Sequence, residues 1–351
     1  MWVLMNKAIA NKITTSFPAF RLPSLASSTR STRLCRLFYK FETYSMALEA
    51  QSQKAVLRTQ EVGGHTTEFL ELHSLKPSVQ IVLVPGNPGA VVFYRDYVES
   101  LFKNLDGKAS ITAICHMAHT SEDWEAGKLY SLQEQIDHKV HFLKDLVVRA
   151  DVPIVLVGHS IGAYISLELL KMFSDKVHYV LGVYPFLTLN RESLKQITIF
   201  KICLFPPMNA GLSSFAGFLG RLPRWFTLPF VKSTIGRSWG AAALESAYSH
   251  LLKYSVVHNM MHMGATEYHQ LQSPPDWDFL RKNQNKICLL FGSNDHWGPL
   301  SHLKEVSKEV PSLSVVVERE GLLHDFCCNE VGSEWVARFT ADVVLSAIPG
   351  L

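Results

Sequence analysis

The sequence predicts an α/β protein with a mostly parallel central sheet, helices on both of its faces, and a hydrophobic lid or cap insertion. Three observations lead there. From residue 55 onward, short apolar runs alternate with segments of helical periodicity, the pattern of a parallel sheet buried on both sides. Two of those runs end in sharp glycine-containing loops, at Pro85–Gly89 and Gly158–Gly162. The alternation breaks once, between about residues 190 and 275, where a long segment with an uncharged centre stands in place of a single crossover helix.

The elements follow in order. Ala55–Glu61 and Thr66–His73 alternate like two strands of a hairpin turned at Gly63-Gly64, as period-2 patterning around glycines implies. Val79–Val84 reads as a buried strand that runs into the Pro-Gly-Asn-Pro-Gly loop, a cluster that forces a sharp turn. Phe93–Leu105 is helix-like and Ser110–Cys115 is another strand. Leu129–Val148 carries Leu132, Ile136, Val140, Leu143, Leu146 and Val147 at helical spacing. Pro153–Val157 is a strand, Ala163–Phe173 a helix, and Val177–Val183, Lys286–Phe291 and Leu313–Val317 are further strands before a closing helix at Ser333–Ala347. The α/β core domain therefore spans residues 50–348, interrupted by the insert at about 190–275.

Charge and composition remove whole classes of function. Residues 1–45 hold seven Lys or Arg against the single Glu42, so the remaining chain sums to −3 although the whole is +3. That leaves no basic footprint for nucleic acid. The first 45 residues, rich in Ser, Thr and Arg and lacking a continuous apolar core, resemble an organellar transit peptide, mitochondrial or plastid, with a dispensable extension as the alternative. The six cysteines form no C-x-x-C pair and read as buried free thiols. No cluster has metal-ligand spacing and no glycine-rich phosphate loop is present, so neither a metal nor a cofactor is expected. Oligomeric state is not legible.

The chemistry is written in the two loops and two late positions. Gly158-His159-Ser160-Ile161-Gly162 joins a strand to a helix, the context in which G-x-S-x-G becomes a nucleophile elbow holding a serine hydroxyl at the carboxyl edge of a sheet. A serine needs a base to take its proton. In an α/β-hydrolase the acid and base follow the serine in the order Asp or Glu, then His. Asp295 lies in the loop just past the late strand Lys286–Phe291, and His324 in a loop before the last helix. His159 inside the elbow should point away from substrate, His296 and His302 fall in the acid's own loop, and Asp276, Asp278 and Asp325 end no strand. A tetrahedral oxyanion needs two donors, each worth about 3 kcal/mol of barrier. The backbone N–H of Ile161 supplies one and that of Asn87 the other, because Pro88 has none to give.

The insert has no charge from Ile202 to Gly220, but Pro206-Pro207 and Asn209 keep it from being one spanning helix. Arg221, Arg224, Trp225, Phe226, Phe230 and Lys232 follow. Apolar residues bordered by cations and Trp suit a lipid interface, while a lid packed on the enzyme's own pocket is the other reading.

Taken together, these landmarks resemble the lipid droplet-associated hydrolase family. They are Pro85–Gly89 followed by Phe93-Tyr94, Thr-Ser-Glu-Asp at Thr120–Asp123, Gly158–Gly162, the Gly292–Asp295 loop, and Leu323-His324. The resemblance runs over roughly residues 55 to 345. It implies a serine esterase or lipase at the surface of lipid droplets and the endoplasmic reticulum, attached through the hydrophobic insert and cleaving neutral lipid esters such as sterol esters or triacylglycerol. A weakly active droplet protein that recruits partners on a hydrolase scaffold, and an organellar esterase or thioesterase, are the alternatives.

Overall fold

An apolar run with no polar alternation must be covered on both faces, and β3 (Val79–Val84) is buried at every position. Ile81 and Leu83 enter one hydrophobic cluster while Val82 and Val84 enter the other, as the two-residue period of a strand requires. The computed structural model describes residues 54–351, so the expectations for residues 1–45 lie outside the described residues.

Eight strands form one sheet in the order β1-β2-β4-β3-β5-β6-β7-β8. The first two, β1 (Val56–Val62) and β2 (His65–Leu72), make the expected antiparallel hairpin. Its turn holds Gly63 and Gly64 at φ of 58° and 85°, which costs residues without a Cβ little. β2 also pairs antiparallel with β4 (Ala109–Ile114). From β4 onward all pairings are parallel, through β3, β5 (Ile154–His159), β6 (Val177–Val183), β7 (Ile287–Gly292) and β8 (Ser314–Glu318).

One face is covered by α1 (Arg95–Asn104) and the closing helix, whose Tyr97, Leu101, Val336 and Val344 pack with β3 and β5. The other is covered by α2 (Leu132–Arg149), α3 (Ile161–Met172) and a late helix near Val306. α2 starts at Ser131, whose side chain accepts from the Glu134 N–H while Glu134 reaches back to the Ser131 N–H, a reciprocal cap that satisfies two otherwise unpaired donors.

Between β6 and β7 the chain builds only helices. These are α4 (Leu194–Cys203), α5 (Pro206–Arg221), α6 (Arg224–Ser233), α7 (Ala241–Ser246) running into a π turn, α8 (Tyr254–Gln270) and α9 (Trp277–Asn283). Then come α10 (Leu300–Glu309) and α11 (Glu330–Ala347). The charge-free stretch is split as its prolines demand: Pro206 and Pro207 open α5, where a missing N–H costs nothing, and the chain bends 88° between α4 and α5. Among the described residues no single helix is long and apolar enough to cross a membrane.

α5 is turned inside out. Asn209, Ser213, Ala216 and Gly217 are its buried residues, with Leu219, while Met208, Leu212, Phe215 and Phe218 are 40–54% exposed. A soluble helix puts its large apolar side chains inward. Here small residues let α5 sit closely on α8 and the turn before it, a Cβ on Gly217 meeting Tyr254 and one on Gly220 the Leu252 carbonyl, and the phenylalanines are left outside.

Candidate active site

The elbow is built by steric exclusion. A Cβ on Gly158 would collide with the backbone of Gly162, and one on Gly162 with the carbonyls of Val84 and Pro85. Only glycine at both positions lets β5 turn so sharply into α3 beside β3. Ser160, at the corner, is forced to φ 56° and ψ −122°, a conformation that costs a non-glycine residue about 1–3 kcal/mol. Three backbone bonds hold it there: its N–H donates to the Val183 carbonyl at 3.0 Å, and its own carbonyl accepts from Ala163 at 3.0 Å and Phe186 at 3.1 Å.

Asp295 follows β7 and His324 follows β8, so both stand at the same carboxyl edge. His324 Nε2 lies 2.9 Å from Ser160 Oγ, and His324 Nδ1 lies 2.8 Å from Asp295 Oδ2. The other carboxylate oxygen, Oδ1, accepts from the Trp297 N–H at 2.8 Å. Burial pushes the Asp295 carboxyl up, but His324 and the Trp297 N–H outweigh it and leave the group below the usual carboxylate value. It stays ionised, so the imidazole keeps its proton on Nδ1 and offers a lone pair to the serine. Three side chains separated by up to 164 positions thus form one hydrogen-bonded line.

The two candidate oxyanion donors come from segments that adjoin Ser160. Ile161 is the first residue of α3, where an N–H has no partner within its helix. Asn87 lines the same cavity as Ser160, and a Cβ on the preceding Gly86 would sit 3.1 Å from Ser160 Cβ. Among the described residues neither N–H has a protein acceptor.

A cavity of about 590 Å³ opens over Ser160 and His324. Its wall comes from the Asn87 loop, from Phe93, and from insert residues Phe215, Leu219, Phe230, Trp239, Leu252 and Met260. Phe215 and Ile235 both line it and are exposed, at 49% and 58%, so its mouth opens in the apolar outer surface of the insert. α5 therefore both lines the pocket and presents an apolar face outward.

A family model, "Lipid-droplet associated hydrolase", matches residues 77–327, well over half of the chain. The chain belongs to the lipid-droplet associated hydrolase family. A Dictyostelium discoideum relative of that name is 26% identical over 293 residues, covering 78% of this chain and 93% of the relative. The Homo sapiens one is also 26% identical, over 75% and 84%. Among solved structures, the haloalkane dehalogenase DatA from Agrobacterium tumefaciens C58 superimposes with a TM-score of 0.64 at 16% identity, covering 85% of this chain and 99% of that one. A carboxylesterase from Nitrososphaera gargenis gives 0.57 at 16%, covering 82% and 100%. This member of the lipid-droplet associated hydrolase family is a hydrolase with the α/β-hydrolase fold.

In this family member the rejected rivals have other roles. Asp276 caps α9 by accepting from the Phe279 N–H, Asp278 pairs with Arg281, and Asp325 accepts from the Trp239 indole N–H. His159 corrects the expectation that it points away: it borders the cavity with its ring buried under His324. Its Nε2 is 2.9 Å from the His324 carbonyl, which can only accept, so Nδ1 takes the Tyr94 hydroxyl proton at 2.7 Å. The Tyr94 oxygen accepts in turn from the Gly86 N–H at 3.0 Å. Burial, then His324, lowers His159 to about 3, so it remains a neutral strut. Cys327 and Cys328 are buried beside the cavity, and the Cys327 side chain and then burial keep the Cys328 thiol protonated. Sequence reasoning missed Tyr94 in this role; its place eight residues past Gly86 carried no signal. Among the described residues no three His, Cys, Asp or Glu gather in a way that could hold a metal.

Proposed function

We propose that this hydrolase cleaves neutral lipid esters, such as sterol esters or triacylglycerol, at the surface of lipid droplets and the endoplasmic reticulum through an acyl-enzyme on Ser160. The observation that carries this is the line Asp295–His324–Ser160 ending in an apolar cavity whose mouth lies in an exposed apolar surface.

Ser160 Oγ attacks the ester carbonyl as His324 Nε2 takes its proton. The carbonyl oxygen, now negative, accepts from the N–H groups of Asn87 and Ile161, donors already aimed before charge develops. The imidazolium stays beside the ionised Asp295 and gives its proton to the leaving alcohol. Water then repeats the sequence on the acyl-serine, with His324 as base, and releases the fatty acid. Ester alkyl and acyl chains are taken up by the apolar wall, where burial is worth about 25 cal/mol per Å².

The inverted face of α5, with Trp225 and Phe226 of α6 beyond it, is the lipid contact. Large apolar patches exposed on a soluble chain mark such sites. Substrate then passes from lipid to cavity without crossing water. The relatives' name, lipid droplet-associated hydrolase, supports the same location.

The test is labelling with a fluorophosphonate probe. The parent should label and Ser160→Ala should not; a label that survives in the variant removes Ser160 as nucleophile.

A further inference from the structure

The Asn87 side chain does not face the chemistry. Its Nδ2 donates to the Met260 carbonyl at 2.9 Å and to Glu267 Oε1 at 3.0 Å. The Met260 carbonyl accepts only, which fixes the amide with nitrogen toward α8. Met260, Gly264 and Glu267 stand at i, i+4 and i+7, one stripe of that helix. A Cβ on Gly264 would be 3.9 Å from Asn87 Nδ2. Both amide protons of the loop residue are thus held by a single helix of the insert.

We infer that Glu267 is a positioning residue for the reaction: by accepting from the Asn87 side chain it sets where the Asn87 backbone N–H points, so the insert forms part of the oxyanion hole. This rests on the Ser160 reading above.

The physical case is one of cost. Glu267 is only 4% exposed, and a carboxyl is almost never fully buried without a partner to justify it. An apolar side chain would serve packing alone at lower cost. Burial pushes this carboxyl up to about 7, with the Asn87 amide pulling the other way. The bond spans a loop and a helix 180 positions apart, and Asn87 Oδ1, buried without a partner among the described residues, gives the amide no competing anchor. A misplaced N–H loses transition-state stabilisation while ground-state binding in the apolar cavity is unaffected. The signature is a fall in kcat with KM held.

The experiment measures turnover of p-nitrophenyl butyrate by the full chain. Glu267→Leu should lower kcat by about 10- to 100-fold with KM within about threefold. Glu267→Gln keeps an acceptor oxygen at the same reach and should restore kcat to within about threefold of the parent. Asn87→Ala, which keeps the backbone N–H but removes the link from its other end, should match Glu267→Leu, and the double variant should lose no more than the worse single one. Parent-like kcat in Glu267→Leu overturns the assignment. So does a Gln variant as poor as the Leu variant, or additive losses in the double variant. If Glu267→Leu does not fold, the comparison of Asn87→Ala with Asn87→Ala/Glu267→Gln decides: equal kcat supports the link and a further tenfold loss refutes it. Failure of the nucleophile reading would appear separately, as probe labelling that persists in Ser160→Ala.

Discussion

The Nε2–H of His159 donates to the main-chain carbonyl of His324 at 2.9 Å, so the histidine beside Ser160 in sequence braces the histidine that bonds it in space. Through Tyr94 the same strut reaches the Gly86 N–H. Tyr94→Phe deletes the middle of that chain and leaves two buried groups unpaired, which costs about 1–3 kcal/mol of stability. It should also lower kcat on a soluble ester by about tenfold, as both the base loop and the oxyanion loop lose a fixed point. Parent-like melting and turnover would show that neither loop depends on the strut.

Asp295→Asn places an amide NH₂ against His324 Nδ1. The imidazole then carries its proton on Nε2, facing Ser160, and cannot act as base. A loss of about 10³- to 10⁴-fold in kcat is expected, with fluorophosphonate labelling slowed in step. Labelling at the parent rate would place the orienting acid elsewhere.

The exposed face of α5 predicts how the chain finds its substrate. Replacing Phe215 and Phe218 with Asp puts two charges where an apolar surface should be and should release a fluorescently tagged chain from lipid droplets. Droplet fluorescence equal to the parent's would count against this anchor.

Acid should unfold the protein through its buried histidines. Burial lowers His119 and His159 to about 3 and His138 to about 2, and holds His116 well below the usual imidazole value. Each is neutral when folded but binds a proton near pH 6.5 when unfolded. The unfolded state therefore binds more protons below that pH, and the stability present above it is lost as pH falls. Burial raises the Glu267 carboxyl instead, which works weakly the other way between about 4.5 and 7. Melting temperature should drop steadily from pH 7 to pH 4, and a flat profile would contradict four neutral buried imidazoles.

Gly162 has no room to change. Gly162→Ala drives a methyl into the Val84 and Pro85 carbonyls, neither of which can yield without breaking the β3 edge. A stability loss of about 3 kcal/mol or more is expected by chemical denaturation. A variant as stable as the parent would mean the elbow is looser than its backbone implies.

The sheet and the order of its landmarks were legible in the amino acids alone. Apart from Gln80, Val79–Val84 and Pro153–Val157 are apolar without alternation, and only a doubly covered strand tolerates that, so a parallel α/β sheet was legible from them. Glycines at 158 and 162 marked the elbow because no other residue fits. Asp295 and His324 were legible from their positions after late strands. The tertiary structure alone decided what the side chains of Asn87, Tyr94, His159 and Glu267 do, since each hydrogen bond among them joins residues with no local pattern to announce it. It also decided which way α5 faces. The only charge in α5 is Arg221 at its last position, so charge gave no side from which to read its orientation; the face of Asn209, Ser213, Ala216 and Gly217 is small enough for α8 to come close, and that turned the phenylalanines outward.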